Sequence, residues 1–346
     1  MLSIIIPTKN EEGNIGNIIK KILKLKLRNY EIIIADSNSK DNTVNIAKNF
    51  AKKFPIKIIQ TGNADLSNAV KIAINYAKGD IILVMDADLE HPPEFIPKIL
   101  KELKENDIVI ASRYIKGAKT YQSFLKRFVS RIYILLTHLI IPSTKNIKDP
   151  SSGFFAFRKK ILKNIKLEPI GFKILLEILV KAKYNKVSEV PFNFMSRKSG
   201  KSKFNLKQAF ISFKHLLKLA KYKKEHHKFV KFCIVGISGI IVNEGLLWLL
   251  TNAGLFYLFS SLIAIESSII WNFFLNDIWT FNKERKGNFF IRCLKFNISR
   301  IMALIINFSL LWLLVSLGIY YLIANLIGIF IATIFTYLTS LFWVWK

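Results

Sequence analysis

Cysteine is scarce in this sequence, and acidic residues are few relative to basic ones. Only Cys233 and Cys293 occur among the 346 residues. Both lie in or beside apolar runs, which excludes a disulfide framework and a thiolate zinc site. Lysine and arginine number 52 against 23 aspartates and glutamates, so the formal net charge is +29. Such a balance first suggests a nucleic-acid partner.

The positive charge is unevenly distributed along the chain. Residues 229–346 hold eight Lys or Arg and four Asp or Glu, so most of the excess lies before them. It is densest at 196–231, where twelve Lys or Arg accompany Glu225 alone, next to long apolar runs. A basic segment beside apolar spans is typical of contact with anionic lipid. We therefore predict a lipid bilayer as the partner, and no nucleic acid.

Four apolar stretches in the last third of the chain have the length that crosses a bilayer, roughly 20 residues. The sequence predicts a transmembrane domain at 229–346. Its spans are predicted at about 229–250, 256–278, 298–317 and 319–343. The link between the second and third spans is basic, and basic links stay in the cytoplasm. We expect a multi-pass membrane protein whose N-terminal domain and both termini are cytoplasmic.

Short apolar runs alternate with amphipathic helical patterns through residues 1–205. The runs predict buried strands, at 2–6, 31–35, 56–60, 81–85 and 107–111. The stretch from Met1 to Pro7 turns polar too soon for a signal peptide, and we assign it to the first strand. Alternating strands and helices predict an α/β domain with a mainly parallel, Rossmann-like sheet.

Two further segments have one apolar and one basic face. They lie at 121–141, within the α/β domain, and at 206–228, between that domain and the spans. Helices of this kind lie in the plane of the membrane surface. We predict two interfacial helices, the second of which also links the two domains.

Two carboxylates, Asp86 and Asp88, follow the predicted strand 81–85, with Glu90 close behind. Open α/β folds bind their ligands at the carboxyl ends of such strands. Carboxylate oxygens suit Mg²⁺ or Mn²⁺ that bridges substrate phosphates. Taken alone, the same residues would more often form an acidic turn that caps the next helix. Asp36 ends another predicted strand and is expected to face the same crevice.

The order of four motifs in the first 115 residues is more specific than any one motif. They lie at 4–12, 36–43, 86–93 and 112–114. Through them, residues 1 to about 215 resemble the family-two glycosyltransferases with a GT-A fold. Within that family the resemblance is to polyprenyl-phosphate sugar synthases of the dolichol-phosphate mannose synthase type. The four-span tail, with its motifs at 272–276 and 279–281, resembles a GtrA-like membrane domain.

The resemblance implies roles for individual residues. The catalytic residues would be Asp88, Asp86 and Arg113. The ligands of Mg²⁺ or Mn²⁺ would be Asp86, Asp88 and Glu90. The sugar nucleotide would contact Pro7, Glu11, Asp36, Asp65, Asp86, Ala87, Asp88, Arg113, Arg197 and Lys203. Ser151 and Ser152 would lie on the acceptor side. Because the acceptor phosphate is an anion, Arg127 and Arg131 could join Arg113 or Lys203 in a basic pocket that contacts it.

The resemblance also implies a reaction. A metal-dependent, inverting enzyme would move a hexose, with mannose from GDP-mannose favoured, to a polyprenyl (dolichyl) phosphate. The product would be a β-linked lipid phosphate sugar used in glycosylation. UDP-glucose is the alternative donor, and a lipid flippase or transporter with a regulatory sugar-nucleotide domain is the alternative from another class. The sequence leaves the oligomeric state open.

Overall fold

The structure is a computed structural model that describes residues 1–195, 206–223 and 227–345. The chain divides into two compact units, Met1–Glu225 and His226–Lys346. The first unit combines strands and helices, whereas the regular elements among the described residues of the second unit are all helices.

A seven-stranded sheet forms the centre of the first unit. The strands of this unit are β1 Leu2–Thr8, β2 Tyr30–Asp36, β3 Ile56–Gln60, β4 Ile81–Val84, β5 Ile108–Ser112, β6 Lys119–Thr120, β7 Phe155–Arg158, β8 Val187–Pro191 and β9 Asn193–Phe194. The order in the large sheet is β3-β2-β1-β4-β7-β5-β8, and β6 pairs with β9 separately. All neighbours in the large sheet are parallel except where β7 pairs with β4 and β5. The mainly parallel α/β fold is therefore confirmed.

The strands form where isoleucines follow one another. Every residue of β1 is buried, and in β2 only the first residue is not. Both faces of the sheet are covered, so these strands are apolar at each position rather than at every second one. Ile4 and Ile6 pack into the core on one side of the sheet. Ile5 and Ile33 pack into the core on the other.

The described residues of the first unit form seven α-helices. They are α1 Glu12–Lys24, α2 Thr43–Ala51, α3 Leu66–Tyr76, α4 Ile96–Glu102, α5 Phe124–Ile140, α6 Ile174–Lys181 and α7 Leu206–Lys223. In α1 the buried residues recur every three or four positions, as at Ile15, Ile18 and Ile22. The predicted interfacial segments correspond to α5 and α7. A hydrogen bond of 3.0 Å between His215 Nε2 and Glu177 Oε2 joins α7 to α6.

β7 is antiparallel to its neighbours, and it is not among the strands predicted from the sequence. Phe155, the first residue of β7, pairs with Val84 and with Ile110 near the carboxyl ends of β4 and β5. An antiparallel strand begins where its neighbours end, so the turn at 149–153 arrives beside the Asp86–Asp88 segment. Four residues are too few for a periodic pattern to identify a strand.

The second unit has four helices that are long and apolar enough to cross a membrane. They are α8 His227–Asn252, α9 Tyr257–Leu275, α10 Phe289–Ser316 and α11 Tyr321–Thr339. α9 and α11 each continue into a π-helical turn, at Asn276–Thr280 and Ser340–Val344. α10 begins nine residues before the predicted start at 298, because Asn288 caps it by accepting a hydrogen bond from the Phe290 N–H.

A buried carboxylate, Asp277, lies in the turn that follows α9. It accepts hydrogen bonds from Arg292 Nε at 3.0 Å and from Trp345 Nε1 at 2.8 Å. Arg292 also donates to the carbonyl of Gly287 at 2.6 Å. Buried charges persist in apolar surroundings when they are paired and hydrogen-bonded. This pairing lets α10 include Arg292, which the sequence analysis left in the polar link.

Two helical hairpins, α8–α9 and α10–α11, are each packed through a glycine. Gly239 of α8 lies against Asn272 of α9, and Gly328 of α11 lies against Asn307 of α10. A Cβ atom at either glycine would overlap the asparagine side chain. Small residues allow membrane helices to approach each other this closely. The two glycines therefore set the spacing of the hairpins.

We predict that Gly239→Ala destabilises the membrane unit and that Gly245→Ala does not. Both glycines lie in α8, but a Cβ at Gly245 meets nothing within 4 Å. Overpacking costs about 1–3 kcal/mol, whereas alanine in an open helical position is favoured over glycine by about 1 kcal/mol. Thermal unfolding in detergent should give a lower midpoint for Gly239→Ala only. Equal midpoints for the two variants would contradict this account of the hairpin.

Candidate active site

The Asp86–Asp88 segment forms a tight turn at the end of β4. The Asp88 carboxylate is buried, and its Oδ1 accepts a hydrogen bond of 3.1 Å from the Glu90 N–H. Leu89 adopts φ +65°, a left-handed conformation that is rare for a bulky residue. Ala87 is buried between the two acids, and Asp86 is partly exposed. The turn therefore presents its carboxylates in one fixed arrangement.

His91 supports this turn from below. Its Nδ1 accepts a hydrogen bond of 3.0 Å from the Asp86 N–H, so the neutral ring carries its proton on Nε2. Three phenylalanines surround the ring, with centroids 5.3 to 5.9 Å away, namely Phe154, Phe192 and Phe194. Burial lowers the pKa of His91 to about 4. The imidazole is therefore a neutral acceptor at physiological pH.

Gly153 brings the turn before β7 into contact with Asp86. A Cβ at this position would lie 2.9 Å from Asp86 Oδ2 and 3.0 Å from His91 Cε1. Real Cβ atoms essentially never approach as closely as 2.9 Å. A side chain at 153 would have to displace the Asp86 carboxylate or the His91 ring, so glycine is favoured there by close approach rather than by backbone conformation.

A buried ion pair joins the end of β5 to the turn at 149–153, which precedes β7. Arg113 Nε and Nη2 donate to the two carboxylate oxygens of Asp149 at 2.7 and 2.8 Å. Burial disfavours the charged form of both groups, but the attraction between the two opposite charges is stronger than this effect. The pKa of Arg113 is therefore raised, and the pKa of Asp149 is lowered. Among the described residues the side-chain hydrogen bonds of Arg113 use Nε and Nη2. Nη1 therefore has N–H groups for a ligand.

Ser151 and Ser152, predicted on the acceptor side, both stabilise this turn. Ser151 Oγ accepts a hydrogen bond of 3.2 Å from Arg113 Nη2. Ser152 Oγ donates to the Ala111 carbonyl at 2.7 Å and accepts from the Phe154 N–H at 3.2 Å. The structure places both serines beside Arg113, where they fix the backbone of the turn, and their contact with an acceptor stays a prediction.

A basic pocket of about 520 Å³ opens beside Arg113. Arg127 and Arg131 of α5 line it together with Arg113, as does Tyr114. The guanidinium carbons of Arg113 and Arg131 lie 5.2 and 5.9 Å from the centroid of the Tyr114 ring. The face of an aromatic ring attracts a guanidinium group, so Tyr114 favours the presence of both positive charges near it. Three of the predicted phosphate-binding arginines therefore share one pocket, and its charge suits an anion.

Three predicted nucleoside-binding residues, Pro7, Glu11 and Asp36, lie at the adjacent ends of β1 and β2, where Thr8 pairs with Asp36. Asp36 is fully buried. Its Oδ1 accepts from Thr8 Oγ1 at 3.0 Å, and its Oδ2 accepts from the Ser39 N–H at 3.0 Å. The structure therefore brings the three residues together, but Asp36 is engaged within the protein. Its direct contact with a nucleoside stays a prediction.

Asp65, also predicted to contact the donor, is the N-cap of α3. Its Oδ1 accepts from the Asn68 N–H at 2.8 Å, and its Oδ2 accepts from the Gly171 N–H at 2.8 Å. Gly171 adopts φ +81°, which favours glycine. The carboxylate thus joins the start of α3 to the turn that precedes α6. Two other predicted donor contacts, Arg197 and Lys203, lie outside the described residues.

Lys173 is a candidate functional residue that the sequence analysis missed. Its Nζ donates to the Ser151 carbonyl at 3.3 Å. Burial, together with the charge of Arg113, lowers the pKa of Lys173 to about 8, although Asp149 and Asp86 oppose that shift. The signal in the sequence is a lysine just before a mostly apolar helix, which is too common to be informative.

The acids of the turn do not form a complete metal cage. Within the ranges that the structure describes, no three His, Cys, Asp or Glu side chains could hold an ion together. Mg²⁺ commonly takes one or two carboxylates and completes its shell with substrate phosphates and water. Asp86 and Asp88 fit that pattern, and Glu90 stays a prediction as the third ligand.

Both units match known families. Residues 3–166 match Glycosyl transferase family 2, and residues 231–345 match the GtrA/DPMS transmembrane domain. A dolichol-phosphate mannosyltransferase of Pyrococcus furiosus is 46% identical over 332 residues, or 95% of this chain and 94% of that protein. The dolichol-phosphate mannosyltransferase of Saccharomyces cerevisiae is 32% identical over 64% of this chain and 87% of its own. Similarity to the archaeal protein extends through both units.

Among solved structures, a glucosyl-3-phosphoglycerate synthase of Mycobacterium tuberculosis matches 64% of this chain and 80% of its own. The identity is 18% and the TM-score is 0.49.

We predict that the neutral state of His91 makes stability fall in acid. The unfolded imidazole binds a proton below its ordinary pKa of 6.5, but the folded one does so only below about 4. The unfolded state therefore binds more protons between these values. Stability present above pH 6.5 is lost as the pH falls towards 4, by up to about 3 kcal/mol.

Unfolding midpoints measured from pH 7 to pH 4 should fall more for the wild type than for His91→Gln. Glutamine can still accept a hydrogen bond from the Asp86 N–H, but it does not titrate. Parallel pH profiles for the two proteins would show that His91 does not carry the effect.

Proposed function

The chain belongs to the dolichol-phosphate mannosyltransferases of glycosyltransferase family 2, and on that basis we propose that it transfers mannose from GDP-mannose to a polyprenyl phosphate. The anomeric carbon is inverted in the transfer, and the product is a β-linked lipid phosphate mannose. The observation that carries the proposal is the basic pocket at Arg113, Arg127 and Arg131 beside the acidic turn. It offers one site for an anionic acceptor next to another for a sugar nucleotide.

The pocket suits the phosphate of the acceptor. Guanidinium groups bind phosphate oxygens through two hydrogen bonds each, and Nη1 of Arg113 has N–H groups for this. The Tyr114 hydroxyl is buried without a hydrogen-bond partner among the described residues. Buried hydroxyls normally have a partner, and a phosphate oxygen would supply one. The pocket also adjoins α5, which has the amphipathic pattern of a helix at the lipid surface.

The acidic turn suits the diphosphate of the donor in the presence of Mg²⁺ or Mn²⁺. Asp86 and Asp88 would hold the cation, which when bound neutralises charge on the leaving diphosphate. Their hard oxygen ligands match both ions, and Asp88 is already oriented by the Glu90 N–H. The protein's part is to keep the two carboxylates at a fixed distance from the basic pocket.

The reaction requires few groups that transfer protons. An oxygen of the acceptor phosphate attacks the anomeric carbon. The bond from that carbon to the donor's β-phosphate oxygen breaks, and its electron pair leaves with the nucleoside diphosphate. The acceptor phosphate is already ionised at neutral pH, since the second pKa of a phosphate monoester is about 6. A strong general base is therefore unnecessary, and positioning and charge stabilisation supply the rate enhancement.

The membrane unit makes this an integral membrane protein, and we propose that the catalytic unit lies in the cytoplasm. The link between α9 and α10 carries Lys283, Arg285 and Lys286, whereas the links within the two hairpins carry no charge. Basic links are retained on the cytoplasmic side. Sugar nucleotides and the catalytic unit would then share one compartment.

We predict that the purified protein forms mannosyl lipid from GDP-mannose and a polyprenyl phosphate, and only when Mg²⁺ or Mn²⁺ is present. Asp88→Asn should lower the rate at least about 100-fold, because it removes charge at the reacting diphosphate. Asp80→Asn is the matched control, since Asp80 is an exposed acid just before β4. Labelled donor and thin-layer separation of the lipid product provide the measurement.

The same assay is run with UDP-glucose in parallel. Glucosyl lipid in place of mannosyl lipid would contradict the proposed donor while leaving the mechanism in place. Full activity in a chelator would contradict the role of the cation.

We also predict that Gly153→Ala lowers turnover by about 10- to 100-fold, because small misplacements of reacting groups have effects of this size. The added methyl group must displace Asp86 or His91. Gly16→Ala is the matched control, since its methyl group would meet Ile46 at an ordinary 3.5 Å. Initial rates at saturating substrate test this, and equal rates for both variants would contradict the spacing role of Gly153.

A further inference from the structure

Lys173 is a second cation beside the Arg113–Asp149 pair. Among the described residues its Nζ forms no ion pair, and its hydrogen bond is the one to the Ser151 carbonyl. The ammonium lies 4.7 Å from the centroid of the Phe172 ring and 5.5 Å from that of Tyr133. An ammonium group has three donors, and aromatic faces stabilise its charge without using them.

The charges around Lys173 do not cancel. Arg113 and Asp149 form a bidentate pair and so neutralise each other. Asp86 is assigned to the divalent cation by the proposed function. Lys173 is then left as a positive charge without an anion assigned to it. Charges interact strongly where water is excluded, so this ammonium favours a bound anion close to it.

Lys173 lies between the acidic turn at Asp86 and the basic pocket lined by Arg131. Its hydrogen bond goes to Ser151, in the turn that contacts Asp86 through Gly153. Its aromatic neighbour Tyr133 lies on α5, two residues after the pocket arginine Arg131.

Tyr133 gives a second, independent indication of a ligand. The Tyr133 hydroxyl is buried and makes no hydrogen bond of good geometry among the residues that the structure describes, although the Thr137 side chain is close enough to interact with it. A phosphate oxygen would satisfy it.

We propose that Lys173 binds a non-bridging oxygen of the acceptor phosphate and thereby turns another of its oxygens towards the anomeric carbon. The inference rests on the proposed function and adds a residue to it. Arginines at the pocket bind the phosphate from the side of α5, and Lys173 binds it from the side of the turn at 149–153. Contacts from two sides fix the orientation of a group that would otherwise rotate freely.

The alternative is a purely structural role in which Lys173 only braces the Ser151 carbonyl. The two roles differ in what they change. Loss of a brace would disturb Arg113 and Asp86 together, so that stability and the use of both substrates would suffer. Loss of a phosphate contact would affect the use of the acceptor and leave the use of the donor intact.

The test compares Lys173→Met and Lys173→Arg with the wild type in detergent, using GDP-mannose and a short-chain polyprenyl phosphate. Lys173→Met should raise the acceptor KM by about tenfold or more, the effect of losing a charged hydrogen bond. The donor KM should stay within about twofold. Lys173→Arg keeps the charge and should restore most of the acceptor affinity. Lys148→Met, at an exposed lysine beside the same turn, is the matched control.

Tyr133→Phe is a second variant that removes only a hydroxyl, and it should raise the acceptor KM several-fold without lowering the unfolding midpoint. An unchanged acceptor KM in Lys173→Met, with normal transfer by the wild type, would overturn this inference alone. Equal losses for both substrates with a lower unfolding midpoint would also overturn it, in favour of the brace. No sugar transfer by the wild type from either donor would overturn the proposed function as well.

Discussion

The buried ion pair between Arg113 and Asp149 is the interaction on which the arrangement of the site depends. It joins the end of β5 to the turn before β7, two segments that meet only in the folded sheet. Burying two charges costs several kcal/mol per ion unless their geometry is good and their other hydrogen bonds are satisfied. Here Ser151 bonds to Arg113, and Glu189 of β8 accepts from the Asp149 N–H at 2.9 Å. Loss of one partner would leave the other charge buried, so the pair is kept or lost as a unit.

Around this ion pair, close packing between neighbouring residues fixes the geometry of the site. The three phenylalanines around His91 hold its ring in place, and His91 in turn holds the Asp86 backbone through a hydrogen bond. Gly153 sets how closely the turn before β7 approaches the acids. Each element restricts the next, so the distance between acidic turn and basic pocket follows from packing. Such preorganisation suits a reaction whose catalysis consists mainly of placing two phosphate-bearing substrates in line.

The sequence predicts the parallel core well and the additions to it poorly. Runs of isoleucine identify β1 and β2 because strands covered on both faces have no polar positions to obscure them. Asp86 and Asp88 are found for the same reason, since they follow such a strand directly. β7 is missed because it is short, and Lys173 because its role depends on a turn fixed from afar by Asp65.

In the described part of the membrane unit the approximate positions of the four spans follow from hydropathy, apart from the early start of α10. The pairing of Asp277 with Arg292 does not, because it joins residues from a π-helical turn and a helix start that no periodic pattern relates. Local patterns therefore give the elements, whereas partners that are distant in the chain give the site. The arginines of α5 are an intermediate case: their positive charge suggests a phosphate contact, but only the fold shows that they share a pocket with Arg113.

The antiparallel strand has a consequence for how the protein folds and opens. β4 ends at residue 84 and β5 at residue 112, yet neither is next to the other, because β7 lies between them. The centre of the sheet stays incomplete until residues 113–154 have folded back and β7 has paired between β4 and β5. Closing a loop of this length slows folding. The sheet and the site are then completed in the same event. In the native state the turn at 149–153 continues directly into β7, so its movement is coupled to the pairing of β7 with both neighbours and thus to the stability of the sheet centre.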